Sequence, residues 1–246
     1  MTQSQGAVGP EPVERFGRLM KHFSVAVSSE VMALAWANQE NAPAGAAVVV
    51  DHEINPRGLH GRLWDTPPSD TLAVAVVLRP QLSVQEADST WFVAALEGAE
   101  ATTGRALGIW WPDSIMDDET EDPVGQVRSE VQLGPGQLRC AVITVRLDLS
   151  RLGLDPEADK DSLCEAVVRA ADRISEQLAE GVAGVNTAYM ERCTMVGRRV
   201  KVRLRPKGET RGVARGVDRA ARLEVEAMSG MVERVGVDQL MEIEVV

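Results

Sequence analysis

The sequence predicts an α+β fold, in which a mixed sheet flanked by helices is followed by a small C-terminal β-barrel. Over residues 1–196, apolar runs of strand length alternate with segments of helical spacing. Residues 197–246 instead contain five short alternating stretches separated by glycine-rich turns. Residues 197–246 also hold 11 basic and 8 acidic residues, which leaves 15 of the 26 basic and 29 of the 37 acidic residues in 1–196. We therefore predict two domains, 1–196 and 197–246.

The first part of the chain predicts two helices and two buried strands after a loose tail at 1–11. Phe16, Leu19, Met20 and Phe23 recur at helical spacing and predict the first helix. The stretch SSEVMALAWANQE predicts the second, because its serines suit the N-cap and good helix formers follow. GAAVVVDHE and TLAVAVVLRP predict strands, and the loop between them contains RGLHGRLW.

The middle of the chain continues the alternation of helices and strands. SVQEADSTWFVAALEGAEATTG predicts a helix, and ALGIWWP predicts a short strand ended by Pro112. PVGQVRSEVQL and QLRCAVITVRLDL predict two strands joined by GPG. KDSLCEAVVRAADRISEQLAEGV predicts an amphipathic helix with one apolar side, and a shorter helix is predicted at about 185–195.

Composition excludes several classes of protein. A net charge of -11 argues against a nucleic-acid-binding surface. Three cysteines without CxxC spacing predict buried thiols in a reducing compartment, and three histidines without an HxxxH pair predict no metal site. The N-terminus lacks a basic start and an apolar core, and no apolar run is long enough to span a bilayer. We therefore expect a cytoplasmic protein with no nucleic-acid or membrane partner.

The loop Arg57-Gly58-Leu59-His60-Gly61-Arg62-Leu63-Trp64 has two interpretations. It is either a solvated surface turn or a loop that folds over a bound anion. For the second, Gly58 and Gly61 would let the backbone approach closely. Arg57 and Arg62 would donate in forked geometry to phosphate oxygens, and Trp64 would shield the ligand from water.

The order of the motifs resembles that of the biotin–protein ligase family and the related lipoate–protein ligases. That family has a serine/threonine helix start, a GRGRRGRxW loop, a WPND motif, a K-x-x-G strand and an SH3-like barrel. This chain has serines at 28–29, PRGLHGRLW at 56–64, WPDS at 111–114 and a strand glycine, Gly125. The resemblance covers most of the chain. It does not include the family's optional N-terminal DNA-binding domain, since only a short segment precedes the serines.

The resemblance implies a biotin/lipoate ligase-like fold and an ATP-dependent ligase. Such an enzyme joins the carboxylate of biotin to the α-phosphate of ATP and expels pyrophosphate. The acyl group then passes to a lysine of a biotin-carboxyl-carrier-type acceptor domain. The implied substrates are ATP with Mg²⁺ and biotin or a lipoate-like acid, and homodimer formation through a sheet edge is a family property. Because two anions meet, preorganised cations would carry much of the catalysis.

The resemblance also implies a set of site residues. Arg57 and Arg62 are the candidate catalytic cations, and Asp113 is a candidate ligand for Mg²⁺ because hard cations prefer oxygen. The candidate ligand-binding residues are Ser29, Glu53, Gly58, His60, Gly61, Trp64, Trp111, Asp113, Gly125 and Arg128. Two have simpler interpretations: Ser29 as a helix cap and Trp111 as core packing.

The chain departs from the family pattern at its catalytic lysine, which precedes the strand glycine by three residues. Alignment on Gly125 puts Asp122 there, and an aspartate adds charge of the wrong sign. Arg128, Arg105 or Arg146 could supply a cation instead. Four further positions depart from the pattern: Glu53, Leu59, His60 and Ser114.

Three functions therefore remain open from the sequence. The first is a divergent ligase that activates biotin or a related acid with ATP. The second is a catalytically impaired module that binds biotin, lipoate or a nucleotide, which Asp122 favours. The third is a lipoyl or octanoyl transferase, which ranks last because no cysteine is flanked by a histidine or a helix start.

Overall fold

The computed structural model describes residues 9–59, 63–102 and 107–246. Its first part contains ten strands and helices up to residue 148: β1 Val13–Arg15, β2 Arg18–Ala26, α1 Ser29–Gln39, β3 Ala47–Glu53, β4 Thr71–Leu78, α2 Thr90–Ala101, β5 Leu107–Trp110, β6 Ser114–Asp117, β7 Pro123–Leu133 and β8 Leu138–Asp148. Then follow α3 Lys160–Glu180, α4 Val182–Arg192, β9 Arg199–Leu204, β10 Glu209–Val217, β11 Leu223–Glu226, β12 Val232–Val235 and β13 Leu240–Val245.

The larger sheet has eight strands in the order β1-β2-β3-β4-β8-β7-β6-β5. β2 and β3 run parallel and the other neighbouring pairs are antiparallel, so the sheet is mixed. On one face Val50, Ala75 and Val142 pack under Trp36 of α1. The opposite face packs against α2, with α3 behind it. The predicted fold class, a mixed sheet flanked by helices, is confirmed.

The helix predicted from Phe16 to Phe23 is wrong, because this segment forms the β1–β2 hairpin. Phe16 and Gly17 have φ of 54° and 75°, values typical of a tight hairpin turn. β2 then pairs in parallel with β3, from Met20 opposite Ala47 onward. The helical spacing of the apolar residues was therefore coincidental, and pairing with a buried neighbouring strand determined the structure.

A second, antiparallel sheet has the order β12-β11-β10-β9-β13. It confirms the predicted all-β segment, whereas closure into an SH3-like barrel remains a prediction. Val200, Val202 and Ala214 of this sheet join the same hydrophobic cluster as α2, α3 and α4. The division at residue 196 likewise remains a prediction. Among the described helices, none combines the length and apolar character needed to cross a membrane.

Candidate functional site

The glycine-arginine loop begins and ends as a closed stem between β3 and β4. The amide of Trp64 donates to the carbonyl of Pro56 at 3.1 Å, and Arg57 and Leu63 form an antiparallel bridge. The indole Nε1 of Trp64 donates to Thr71 Oγ1 at 3.0 Å, which fixes the half-buried ring against β4. Arg57 is exposed at the rim.

The predicted roles of His60, Gly61 and Arg62 lie outside the described residues. Those three roles therefore stay predictions. The geometry of the site is described from the stem residues on either side, at 56–59 and 63–64.

Gly58 allows the stem to lie directly on β7. A Cβ at this position would stand 1.9 Å from Gln126 Nε2, so any larger residue would displace the amide or lift the loop. Arg128 Nη1 donates to the carbonyls of Arg57 at 3.2 Å and Gly58 at 3.0 Å. The carbonyls of Arg57 and Gly58 therefore face the guanidinium of Arg128. The backbone of Gly58 itself packs closely against the side-chain amide of Gln126.

Arg128 links the loop to α1. Its Nε lies 3.1 Å from Glu30, and its Nη2 donates to Glu130. Burial raises the pKa of Glu30, and the guanidinium of Arg128 opposes that rise. The sequence suggested that Arg128 could point toward the site, and its side chain does reach the loop stem.

Ser29 is buried and holds Glu53. Its amide and its Oγ donate to Glu53 Oε1 at 2.6 and 2.8 Å. The helix cap is instead Ser28, whose Oγ accepts from the amide of Val31 at 3.2 Å. The interpretation of Ser29 as the cap is therefore wrong by one residue.

Glu53 in turn forms a buried ion pair with Arg146. Arg146 Nε donates to Glu53 Oε2 at 2.6 Å, and Nη2 donates to Oε1 at 3.1 Å. The side chains are 0% and 5% exposed. Arg146 therefore balances an internal carboxylate, and Glu53, which we expected to face the ligand, faces this arginine.

The space beside Glu53 is small. A cavity of about 10 Å³ is lined there by Glu53, Trp64, Thr71 and Ala73, among others. Ligand pockets usually enclose roughly 300–1,000 Å³. In the described residues, the protein's own side chains fill this part of the predicted site.

Trp111 and Asp113 lie in the interior. Trp111 is 1% exposed, and its Nε1 donates to the carbonyl of Ala221 at 2.9 Å, linking the two sheets. Its placement matches core packing and does not match a ligand wall. Asp113 is also 1% exposed and accepts from Ser114 Oγ at 3.3 Å.

This placement does not fit the magnesium role suggested for Asp113, because a Mg²⁺ site keeps access to water and phosphate oxygens. In the part of the chain that the structure describes, no group of three histidine, cysteine or acidic side chains could hold a metal. The described residues therefore do not fit a protein-bound Mg²⁺.

Gly125 and Asp122 lie at the start of β7. A Cβ on Gly125 would stand 2.9 Å from the carbonyl of Arg146 and 2.8 Å from Leu147 Cδ2, so close packing explains the glycine. Asp122 is exposed in the preceding turn, where its carbonyl accepts from the amide of Asp117 at 2.9 Å. Because this backbone hydrogen bond stabilises the turn, the side chain of Asp122 can be substituted without disrupting it.

The three cysteines are buried, as the sequence predicted. Burial raises the pKa of Cys140 and Cys193, and raises that of Cys164 to about 12. Because the thiolate is the reactive form, none of them has the environment of a nucleophile.

A larger cavity, which the sequence did not indicate, opens between β6 and the second sheet. It has a volume of about 710 Å³ and is lined by Asp117, Asp118 and Glu121, with Arg198 as the one basic side chain among its lining residues. Arg198 is paired with Glu121 at 2.7 Å. The excess of carboxylates disfavours a triphosphate in this cavity.

Known proteins resemble the chain in sequence. No family model matches it. The bifunctional ligase/repressor BirA of Bacillus spizizenii is 28% identical over 167 residues, and BirA of Bacillus subtilis is equally similar. The match covers 65% of this chain and 50% of each relative, so the chain spans about half the length of these curated proteins.

Solved structures resemble the chain over nearly its whole length. The biotin protein ligase from Aquifex aeolicus, in complex with biotin and ATP, superposes with a TM-score of 0.70 at 16% identity. The superposition covers 92% of this chain and 99% of that one. A biotin protein ligase-like protein of unknown function from Silicibacter superposes with a TM-score of 0.66 at 16% identity, over 90% and 95% of the chains. The resemblance seen in the motifs is thus confirmed: the chain is similar in sequence to BirA and has the fold of biotin protein ligases.

Proposed function

We propose that the chain activates a carboxylic acid with ATP and passes the acyl group to a lysine of an acceptor domain. The observation that carries this proposal is the likeness to the Aquifex ligase, which was solved with biotin and ATP and which matches 92% of this chain. The sequence similarity to BirA supports the same reaction class. The acid is biotin or a related carboxylic acid.

The reaction needs cations where two anions meet. A carboxylate oxygen of the acid attacks the α-phosphorus, and pyrophosphate leaves. The amine of the acceptor lysine then attacks the acyl carbon, loses its proton and displaces AMP. We expect Arg57 and Arg62 to hold phosphate oxygens, and Arg128 would add a third positive charge beneath the stem.

Water exclusion is the second requirement, because an acyl-adenylate is prone to hydrolysis. Trp64, fixed by Thr71, stands at the C-terminal end of the stem and would cover the reacting groups. Opening of the stem requires Arg128 to release the carbonyls of Arg57 and Gly58. Substrate phosphates would compete for the same guanidinium, so that phosphate binding would weaken the contact between Arg128 and the stem.

A binding module without turnover is the second candidate. Asp122 is exposed, and alignment on Gly125 assigns it the position of the family lysine. Arg128 already forms ion pairs with Glu30 and Glu130. A lipoyl or octanoyl transferase ranks third, because all three thiols are buried. The acceptor domain, a homodimer and a cytoplasmic location stay predictions.

Calorimetric titration with biotin and lipoate, alone and with MgATP, tests the proposal when the same samples are assayed for pyrophosphate. The ligase reading predicts acid-dependent pyrophosphate release, which Arg62→Ala abolishes and Arg139→Ala, an exposed change on β8, leaves intact. Binding without pyrophosphate supports the binding module. Release that is unchanged in Arg62→Ala contradicts the role of the loop.

A further inference from the structure

A cavity of about 380 Å³ opens beside the C-terminal end of the loop stem. Its walls are formed by residues 63–67, by Pro123 at the start of β7, and by residues 148, 150 and 151 after β8. The volume lies within the roughly 300–1,000 Å³ of ordinary ligand pockets. A ligand in this cavity would contact both the stem and the start of β7.

Arg151 is the one basic side chain among the lining residues of this cavity. Its Nη1 donates to the carbonyl of Pro123 at 2.7 Å, and its side chain is 51% exposed. Pro123 directly follows Asp122, to which alignment on Gly125 assigns the position of the family lysine. The guanidinium of Arg151 therefore lies beside the place where the chain lacks that lysine.

Asp148 positions Arg151 at the cavity. Asp148 is 3% exposed, and its carboxylate accepts from Thr66 Oγ1 at 2.7 Å, from Ser150 Oγ at 2.7 Å and from the amide of Arg151 at 3.0 Å. Arg151 Nε lies 3.3 Å from Asp148 Oδ2. Burial opposes the ionisation of Asp148, but these hydrogen bonds and the charge of Arg151 outweigh it and lower its pKa. Asp148 is therefore a charged anchor for both the backbone and the guanidinium of Arg151.

One nitrogen of the guanidinium is left for a ligand. Nε faces Asp148 and Nη1 binds a neutral carbonyl, whereas Nη2 has no hydrogen-bond partner within 9–59, 63–102 and 107–246. The carboxylate of Asp148 is already bound by its donors, and the other acidic residue of the cavity, Asp65, is exposed, so that solvent screens its charge. A guanidinium in this setting suits a phosphate oxygen.

The other arginines that the sequence offered as replacements for the lysine are less suitable. Arg128 forms ion pairs with two carboxylates, and Arg146 is buried in its pair with Glu53. Arg105 lies outside the described residues. Arg151 combines a position beside Asp122 with access to a cavity of ligand size.

We propose that Arg151 is the catalytic cation that takes the place of the missing lysine and binds the α-phosphate of the nucleotide in the cavity beside Trp64. As the carboxylate oxygen of the acid forms its bond to phosphorus, the bond to pyrophosphate breaks. Arg151 stabilises the negative charge on the α-phosphate oxygens and keeps its proton throughout. This inference rests on the proposed function and adds a catalytic residue to it.

Calorimetric titration of the full chain with AMP and with adenosine tests the binding role, because the two differ by the α-phosphate. The parent should bind AMP at least about tenfold tighter than adenosine, the contribution expected of one hydrogen bond between charged groups. Arg151→Met should reduce this preference by about tenfold, and Arg151→Lys, which keeps the charge, should retain most of it. Arg169→Met removes an exposed arginine of α3 and should change the preference less than about twofold.

Acid-dependent pyrophosphate release from MgATP tests the catalytic role. Arg151→Met should lower the rate by about 10- to 100-fold. Adding Asp122→Lys to Arg151→Met should recover about tenfold, because the lysine returns a positive charge beside the same cavity. Glu119→Lys in the same background should recover less than about twofold. A residue that only stabilised the fold would not be rescued by a charge at position 122.

The outcomes separate this inference from the proposed function. Release that occurs in the parent and is unchanged in Arg151→Met overturns the role of Arg151 and leaves the proposed function standing. An AMP preference that is absent from the parent, or that persists in Arg151→Met, overturns the phosphate contact. Equal recovery by Asp122→Lys and Glu119→Lys overturns the replacement of the lysine. If no acid gives pyrophosphate in the parent, the proposed function and the catalytic role of Arg151 both fail.

Discussion

Glu53 and Arg146, 93 residues apart, meet in a side-on ion pair of 2.6 and 3.1 Å beneath the loop stem. The pair joins the end of β3 to β8 across β4. It occupies the part of the sheet face at which the sequence predicted a ligand. Glu53 therefore occupies the Nε and Nη2 donors of Arg146, and neither donor is available to a ligand. The stability of the fold depends on this ion pair.

Glu53→Ala should destabilise the protein by about 3–5 kcal/mol, because it leaves the guanidinium of Arg146 buried without its counter-ion. Urea denaturation measures the change. The matched control is Glu242→Ala, which breaks an exposed pair with Arg203 and should cost less than about 1 kcal/mol. An equal decrease in the free energy of unfolding in the two variants would show that the buried pair contributes no more to stability than the exposed one.

Gly58→Ala should destabilise the closed stem by about 1–3 kcal/mol, since its Cβ would overlap the amide of Gln126. Gln126→Ala should relieve this effect, so the double variant should be more stable than the sum of the single changes predicts. Gly184→Ala is the control, because nothing lies within 4 Å of a Cβ at that position of α4. Additive losses in the thermal unfolding of the double variant would contradict the contact.

Glu97→Gln should stabilise the protein at neutral pH. Glu97 is 0% exposed in α2, burial raises its pKa well above 4.5, and neither carboxylate oxygen has a partner among the described residues. A raised pKa means that native stability is lost as pH rises from 4.5 through the folded value. The gain should be absent below pH 4.5 and reach about 1–3 kcal/mol above the folded pKa.

Denaturant unfolding across this pH range checks the Glu97 prediction. Glu176→Gln, an exposed change on α3, should leave the free energy of unfolding nearly constant relative to the parent. A benefit of Glu97→Gln that is equally large at acidic and neutral pH would contradict an ionisation effect.

Asp122→Lys should raise acid-dependent pyrophosphate release by about tenfold. The substitution removes a negative charge and adds a positive one at the position that alignment on Gly125 assigns to the family lysine, and solvent screening at this exposed position limits the gain. Glu119→Lys makes the same change of charge in the same turn and should have less than about a twofold effect, because it does not restore the motif. Equal gains in both variants would mean that net charge, and not the position, controls the rate.

The sequence predicted the long elements well because their local signals agree with their tertiary environment. α1 begins after a serine cap, and β4 is an unbroken buried apolar run. β6 was missed because Ser114–Asp117 is short and shows no alternation. The β1–β2 hairpin was mistaken for a helix because the positive φ of Phe16 has no sequence signature of its own.

The site was less predictable, because its decisive contacts join distant residues. The sequence predicted that the loop is part of the site and that Arg128 is a candidate cation there. The pairing of Arg146 with Glu53 depends on the register of β4 against β8, which places Ala73 beside Arg146. The bond from Trp111 to Ala221 spans 110 residues and depends on how the second sheet packs. No local pattern encodes either contact.

Pyrophosphate release from MgATP, measured with and without each candidate acid, tests the central claim most directly. The panel contains biotin, lipoate and octanoate, and the protein is the full chain. The account predicts release that depends on the acid and disappears in Arg62→Ala. Acid binding without any release would contradict it and would make the chain a binding module that has the ligase fold without the ligase reaction.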